Sequence, residues 1–268
     1  MHKNIFASKL LAVAVLLMPF YAAAEEDLPV PRNTQFTAGL ERFKMENSAY
    51  RGGPTLEEES GVRGTVGIGW SNLFIPSEGS VYRANLTLYG GMSDFSRVGG
   101  SSTSTYAGLK FEGMGGYRIG SIVGVEVFSG MSADFWYRGV QDSTTVIAFD
   151  EYYAVASAKL GFSVLQRFSK FGYFIRAGIK APFMTWAHAN YLDGVDVTPV
   201  PQLSGFAEVN FTFGGIPRDR FVLSAYYDSY RFGKSKNADV TNNGVPAGVY
   251  YSYATNIDTV GVQAIFGF

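Results

Sequence analysis

The chain has 268 residues, 22 Lys+Arg against 23 Asp+Glu for a formal charge of −1, and no cysteine. Near-neutral charge gives no reason to expect nucleic acid or a strongly charged partner, and without thiols an exported chain can use neither disulfides nor a lipidated N-terminal cysteine. The unusual feature is 22 Phe, 17 Tyr and 3 Trp alongside 32 Gly, dispersed without strict period, which excludes a collagen-like or disordered chain.

In chain order, the first element is an export signal. His2, Lys3 and Lys9 surround the start of an apolar run over 10–17, and Ala22-Ala23-Ala24 offers an A-x-A cleavage site before Glu25, the layout of a secretory signal peptide. The run is well short of the roughly 20 residues that a spanning helix needs. We expect a signal peptide over 1–24, a polar periplasmic N-terminal tail over 25–33 in which Pro29 and Pro31 discourage helix, and one domain over 34–268. Loss of Lys3 and Lys9 takes the net charge from −1 to −3.

Ten strands then follow at period two. They are expected over 34–45, 61–70, 81–95, 105–117, 121–137, 150–166, 172–186, 203–213, 220–232 and 259–268. In each, one face is apolar and the other mostly polar or glycine, with a few aromatic residues adding bulk. The fifth puts Val123, Val125 and Val127 opposite Gly124, Glu126 and Phe128; the sixth puts Leu160, Phe162 and Val164 opposite Lys159, Gly161 and Ser163. Short links follow the fourth, sixth and eighth strands, and long ones follow the first, third, fifth, seventh and ninth; the link after the second, 71–80, is the exception at ten residues. That alternation is the pattern of an all-β, transmembrane, antiparallel up-and-down β-barrel of about ten strands, with eight or twelve as alternatives. Aromatics are expected at both rims, Trp70, Tyr82 and Tyr117 among those at one and Phe95, Tyr106, Trp136, Tyr230 and Phe232 among those at the other.

The last strand reads T-V-G-V-Q-A-I-F-G-F, with Val260, Val262, Ala264, Phe266 and Phe268 on one face. A soluble protein would leave this apolar edge open to other chains, whereas a closed barrel removes it. The ending resembles the C-terminal insertion signal of bacterial outer-membrane β-barrel proteins, whose last residue is usually Phe and whose alternate positions before it are apolar or aromatic. The resemblance covers about ten residues. It implies the outer membrane of a Gram-negative bacterium with both termini periplasmic and the long loops extracellular. It also implies lipid and lipopolysaccharide as surroundings, and the barrel-assembly machinery and periplasmic chaperones as partners.

The inner face carries eleven charges at mid-strand: Glu41, Arg63, Arg83, Lys110, Glu112, Glu126, Lys159, Arg176, Lys180, Glu208 and Asp228. In so narrow a barrel, buried charges of both signs should pair with one another. This reads as a largely plugged lumen and argues against a general diffusion porin. The expected role is structural or surface-binding; the alternatives are a narrow selective channel or transporter for a small solute, and a hydrolase at the barrel mouth. The candidates for the last are His188, Asp193, Asp196 and Asp94 at the outer rim. A His with acidic neighbours at a barrel mouth is similar to the omptin family of surface proteases, which use paired Asp and an Asp–His couple. Here no Asp stands two positions before His188, and Asp94 has no adjacent partner carboxylate, so the pattern departs at both halves. Lipid A deacylase-type barrels want a His and a Ser on one strand face; position 190 is Asn. No G-x-x-x-x-G-K-[ST], H-E-x-x-H or Cys/His cluster occurs, so neither cofactor nor metal is expected. Glu57, Glu58 and Glu59 read as a solvated loop tip.

Overall fold

The computed structural model describes residues 34–72, 78–168, 171–213 and 221–267. The expected signal peptide, the tail and Phe268 lie outside the described residues. Fourteen strands run in chain order: β1 Thr34–Ser48, β2 Thr55–Ser71, β3 Gly79–Arg97, β4 Gly100–Ile119, β5 Val123–Val140, β6 Phe149–Arg167, β7 Phe171–Ala189, β8 Val195–Val197, β9 Val200–Gln202, β10 Ser204–Phe213, β11 Phe221–Gly233, β12 Ala238–Asn242, β13 Val245–Tyr250 and β14 Ala254–Gly267. Ten of them, β1 to β7 with β10, β11 and β14, form a closed antiparallel ring, the strand count read from the sequence. β7 pairs with β10, and β14 pairs with β1 from Gln35↔Gly267 to Ser48↔Ala254, so no edge of the cylinder stays open. The closing strand starts at Ala254, five residues before its expected start at Thr259.

Alternation decides which side each residue takes. Val125 and Val127 are 50% and 61% exposed while Glu126 between them is 0% exposed. A soluble protein would bury those valines; an outward apolar band is what a lipid-facing wall requires. Phe36 and Leu40 on β1, Ile68 on β2, Leu160 and Phe162 on β6 and Val260 and Val262 on β14 are likewise exposed.

The wall is taller than the apolar band, and the loops are correspondingly shorter than the sequence suggests. At the end away from the termini, β1 and β2 are joined by 49–54 and β3 and β4 by 98–99 alone. Here the faces exchange character: Arg42 and Lys44 point out, Phe43 and Met45 point in. The rings expected at the outer rim are affected most. Phe95, Tyr106, Trp136, Tyr230 and Phe232 are buried inside the barrel, because the parity that directs Lys110 and Asp134 inwards does the same for Tyr106 and Trp136. With Phe43, Met45, Val155 and Ile257 the latter four make an apolar layer across the lumen. Phe43 and Tyr106 meet edge to face at 4.7 Å, and Trp136 stacks on Tyr153 at 4.8 Å. The rim at the other end keeps its exposed rings, with Trp70, Tyr117, Phe171 and Phe213 facing outwards, and a second apolar layer of Val81, Leu165, Phe174, Val222 and Ile265 lies inside it.

Glycine and aromatic residues are linked by register. Tyr89 lies directly opposite Gly108, Phe128 opposite Gly161, Phe206 opposite Gly178 and Tyr226 opposite Gly261, and in each case the ring covers the space where a Cβ would stand. A ring folded flat on the wall fills the lumen without crossing it, and covers backbone that a glycine leaves bare. Gly108→Ala is expected to displace the Tyr89 ring and destabilise the barrel by about 1–3 kcal/mol. Gly64→Ala, where the nearest atom to the new methyl is 4.0 Å away, should be close to neutral. The urea unfolding midpoints of the two refolded variants make the comparison.

Candidate functional site

Between the two apolar layers the inward side chains form a cross-braced, ion-paired chamber. Glu41 and Arg63, opposite each other on β1 and β2, pair at 2.7 Å, and the Tyr226 hydroxyl donates to Glu41 at 2.7 Å. Arg83 on β3 reaches across to Glu208 on β10 at 2.8 Å, and Arg176 on β7 stands 3.6 Å from the same carboxylate. Glu112 on β4 takes Lys159 of β6. Asp228 on β11 is shared by Lys110 of β4 and Lys180 of β7, each at 2.5 Å. Asp134 on β5, which the mid-strand reading passes over, accepts from Tyr89 at 2.7 Å and from Tyr230 at 2.9 Å. Of the eleven charges chosen from sequence, ten meet here. Glu126 instead accepts from Arg118 Nε at 2.6 Å and from Ser163 at 2.6 Å.

These contacts join strands far apart on the ring and so brace the cylinder across its width. Lys180 is 0% exposed and Arg176 2% exposed, a burial that charged groups tolerate only with partners. Rings supply part of the company: Arg63 lies over Phe43 and Tyr89 at 4.4 and 4.6 Å, and Lys180 over Tyr230 at 3.4 Å. A cavity of about 130 Å³ remains among Arg63, Arg83, Lys110, Glu112, Asp134 and Arg176.

A second cluster sits beyond the apolar layer, near the extended end. Arg138, 1% exposed, donates to Glu59 at 2.7 Å and to Glu151 at 2.6 Å; Ser93 donates to Glu59 at 2.5 Å. Tyr153 and Tyr250 donate to Glu151 at 3.0 Å each, which ties the β12–β13 hairpin to the wall. Glu59 is therefore an inner-face residue of β2 and not part of a solvated tip; Glu57 accepts from Asn47 and Glu58 pairs with Lys44. The signal for all of these is strand parity, carried past the expected ends for Glu59, which shares its parity with Arg63, and for Arg138, which shares it with Glu126, and within the expected sixth strand for Glu151, which shares it with Lys159.

The outer-rim candidates do not converge. His188 and Asp196 are register partners on β7 and β8, with Nδ1 and a carboxylate oxygen 3.0 Å apart. Trp186 donates its indole N–H to the same oxygen at 3.1 Å, and the Tyr152 ring stands 6.3 Å from the imidazole. Tyr152 and Trp186 lie on the outward face with His188, so the couple faces away from the lumen. Asp94 is an exposed residue of β3, elsewhere on the ring. Asp193 accepts from the Gly244 and Asn243 amides at 3.0 Å each and from the Thr241 hydroxyl at 2.7 Å.

No family model matches the sequence, and no curated protein matches it. Among solved structures, the chain is similar to the outer-membrane protease OmpT from Escherichia coli, at 11% identity and a TM-score of 0.53, over 91% of this chain and 99% of that one. The fold is that of an outer-membrane β-barrel. Two further structures align at lower TM-scores. The translocator domain of the autotransporter NalP from Neisseria meningitidis does so at 13% identity and 0.44, over 100% of this chain and 96% of its own. The attachment invasion locus protein Ail of Yersinia pestis does so at 12% and 0.34, over 88% and 99%.

Two outcomes test this geometry. Asp228→Asn leaves Lys110 and Lys180 buried without their shared carboxylate, and about 3–5 kcal/mol of stability should be lost, read from urea unfolding in vesicles. At the surface, the Gly244 amide first, then the Thr241 hydroxyl and the Asn243 amide, hold the Asp193 carboxyl below its ordinary value. A lowered pKa contributes stability that is present above the ordinary value of about 4 and lost as pH falls through the folded one. Amide exchange at Asn243 and Gly244, referred to the intrinsic rate at each pH, should therefore lose protection only below about pH 4.

Proposed function

We propose that this protein is an outer-membrane barrel closed to solute flow, with a structural or surface-binding role carried by its extended end. The carrying observation is the stacking of filled layers along the lumen: Val81, Leu165, Phe174, Val222 and Ile265, then the ion pairs, then Phe43, Tyr106, Trp136 and Phe232. An aqueous path would leave such lining residues open to solvent, and Leu165, Val222, Ile265 and Phe43 are each at most 2% exposed. In this reading the termini are periplasmic and the taller, polar-faced part of the wall projects outwards among lipopolysaccharide head groups. The barrel-assembly machinery and periplasmic chaperones are its partners during insertion.

The two alternatives draw less from the geometry. A selective channel needs a path through both apolar layers. A hydrolase needs a nucleophile or activated water facing substrate, whereas His188 and Asp196 look outwards beside Trp186. Val98 and Ile147, 83% and 81% exposed on the connections at the extended end, and Val245 at 63% offer apolar contacts to a surface partner.

Planar-bilayer recordings of the refolded protein should show no stable conductance; a reproducible open channel in the parent would overturn the reading. A variant with Phe43→Ala, Tyr106→Ala and Trp136→Ala together should be more permeable than the parent.

A further inference from the structure

The chamber's charges do not balance. Between the two apolar layers stand six cations, Arg63, Arg83, Lys110, Lys159, Arg176 and Lys180, and five carboxylates, Glu41, Glu112, Asp134, Glu208 and Asp228. Each carboxylate is engaged: Glu41, Glu112 and Asp228 by cations, Asp134 by two phenols, and Glu208 by Arg83.

The shortfall falls on Arg176. Its guanidinium carbon lies 4.7 Å from the ring centre of Phe128 and 5.0 Å from that of Phe174. Its nearest carboxylate, Glu208, is 3.6 Å from Nη1, beyond hydrogen-bond reach, and neither Nε nor Nη1 has a hydrogen-bond partner among the described residues. Arg176 is 2% exposed and lines the cavity of about 130 Å³. A buried guanidinium with unmet N–H donors, next to empty polar space and one positive charge too many, is a configuration that protein atoms alone leave costly.

We propose that the chamber holds one small monovalent anion of the halide class, bound by an unmet N–H donor of Arg176, at Nε or at Nη1. Charge selects its valence. A monoanion brings six positive charges against six negative, whereas a sulfate or hydrogen phosphate dianion would leave the chamber one negative charge in excess. Volume allows it, since the space exceeds what several waters need.

The test is refolding from urea in sodium bromide, followed by crystallography with anomalous scattering at the bromine edge. A single peak within hydrogen-bonding distance of Arg176 Nε or Nη1 is expected; no peak in the lumen, or one lodged elsewhere in it, overturns the proposal. Independently, the parent refolded in chloride should melt a few degrees above the parent refolded in gluconate at equal ionic strength. Arg176→Gln, which removes the surplus charge, should melt at one temperature in both. Equal melting of the parent in the two salts would overturn the proposal as well. If Arg176→Gln does not fold, the bromide map and the parent's salt comparison decide between the outcomes.

Discussion

The constraint on which the structure depends is that a lipid-spanning backbone must satisfy its own hydrogen bonds. A sheet can do this only by closing on itself. Once β14 meets β1, every wall residue has two destinations, the lipid or the lumen. The outward positions become apolar, and every charge that the mid-wall carries is forced to the inside. Confined there, charges of both signs are stable only by meeting each other, and the pairs Arg83–Glu208 and Lys110–Asp228 reach across the ring to do it. The same closure that seals the hydrogen bonds therefore creates the interior network.

Period two makes most of this legible in the amino-acid order. The placement of Glu41, Arg63, Lys110, Lys159 and Asp228 inside follows from the apolar residues that alternate with them. What was not legible is where the membrane stops. The alternation Arg42, Phe43, Lys44, Met45 has the same period as Phe36, Thr37, Ala38, but with the apolar residues on the opposite face. Period alone does not say whether lipid or water lies outside. Rings such as Tyr106 and Trp136 therefore read as an interfacial belt although their parity puts them with Lys110 and Asp134. The strand ends are hard to read for a related reason: Glu59 and Arg138 lie just past the apolar alternation, in surroundings that look like loop until the register is known. The outer candidates His188, Asp193 and Asp196 are close in sequence, but β8 returns beside β7 and turns the couple towards the exterior, an outcome set by tertiary pairing rather than by spacing.

The interior is zoned rather than uniform. An apolar layer, an ionic chamber, a second apolar layer and the Arg138 cluster follow one another along the axis. The ion pairs tie together strands whose side chains make the layers. Such a filled cylinder is suited to presenting a firm rim. The β12–β13 hairpin illustrates this, because Tyr250 anchors it to Glu151 and Asp193 holds its tip.

The facing of Tyr89 with Gly108, Phe128 with Gly161, Phe206 with Gly178 and Tyr226 with Gly261 has a consequence for how this sequence can vary. Each ring occupies room that exists only because its partner on the next strand has no side chain. Neither member is free to drift alone: enlarging the glycine evicts the ring, and shrinking the ring bares backbone and opens a void. The two positions constitute one heritable unit split between strands. A homologue can be expected to keep both members, to lose both, or to carry the pair reversed, with the aromatic residue and the glycine exchanged across the seam.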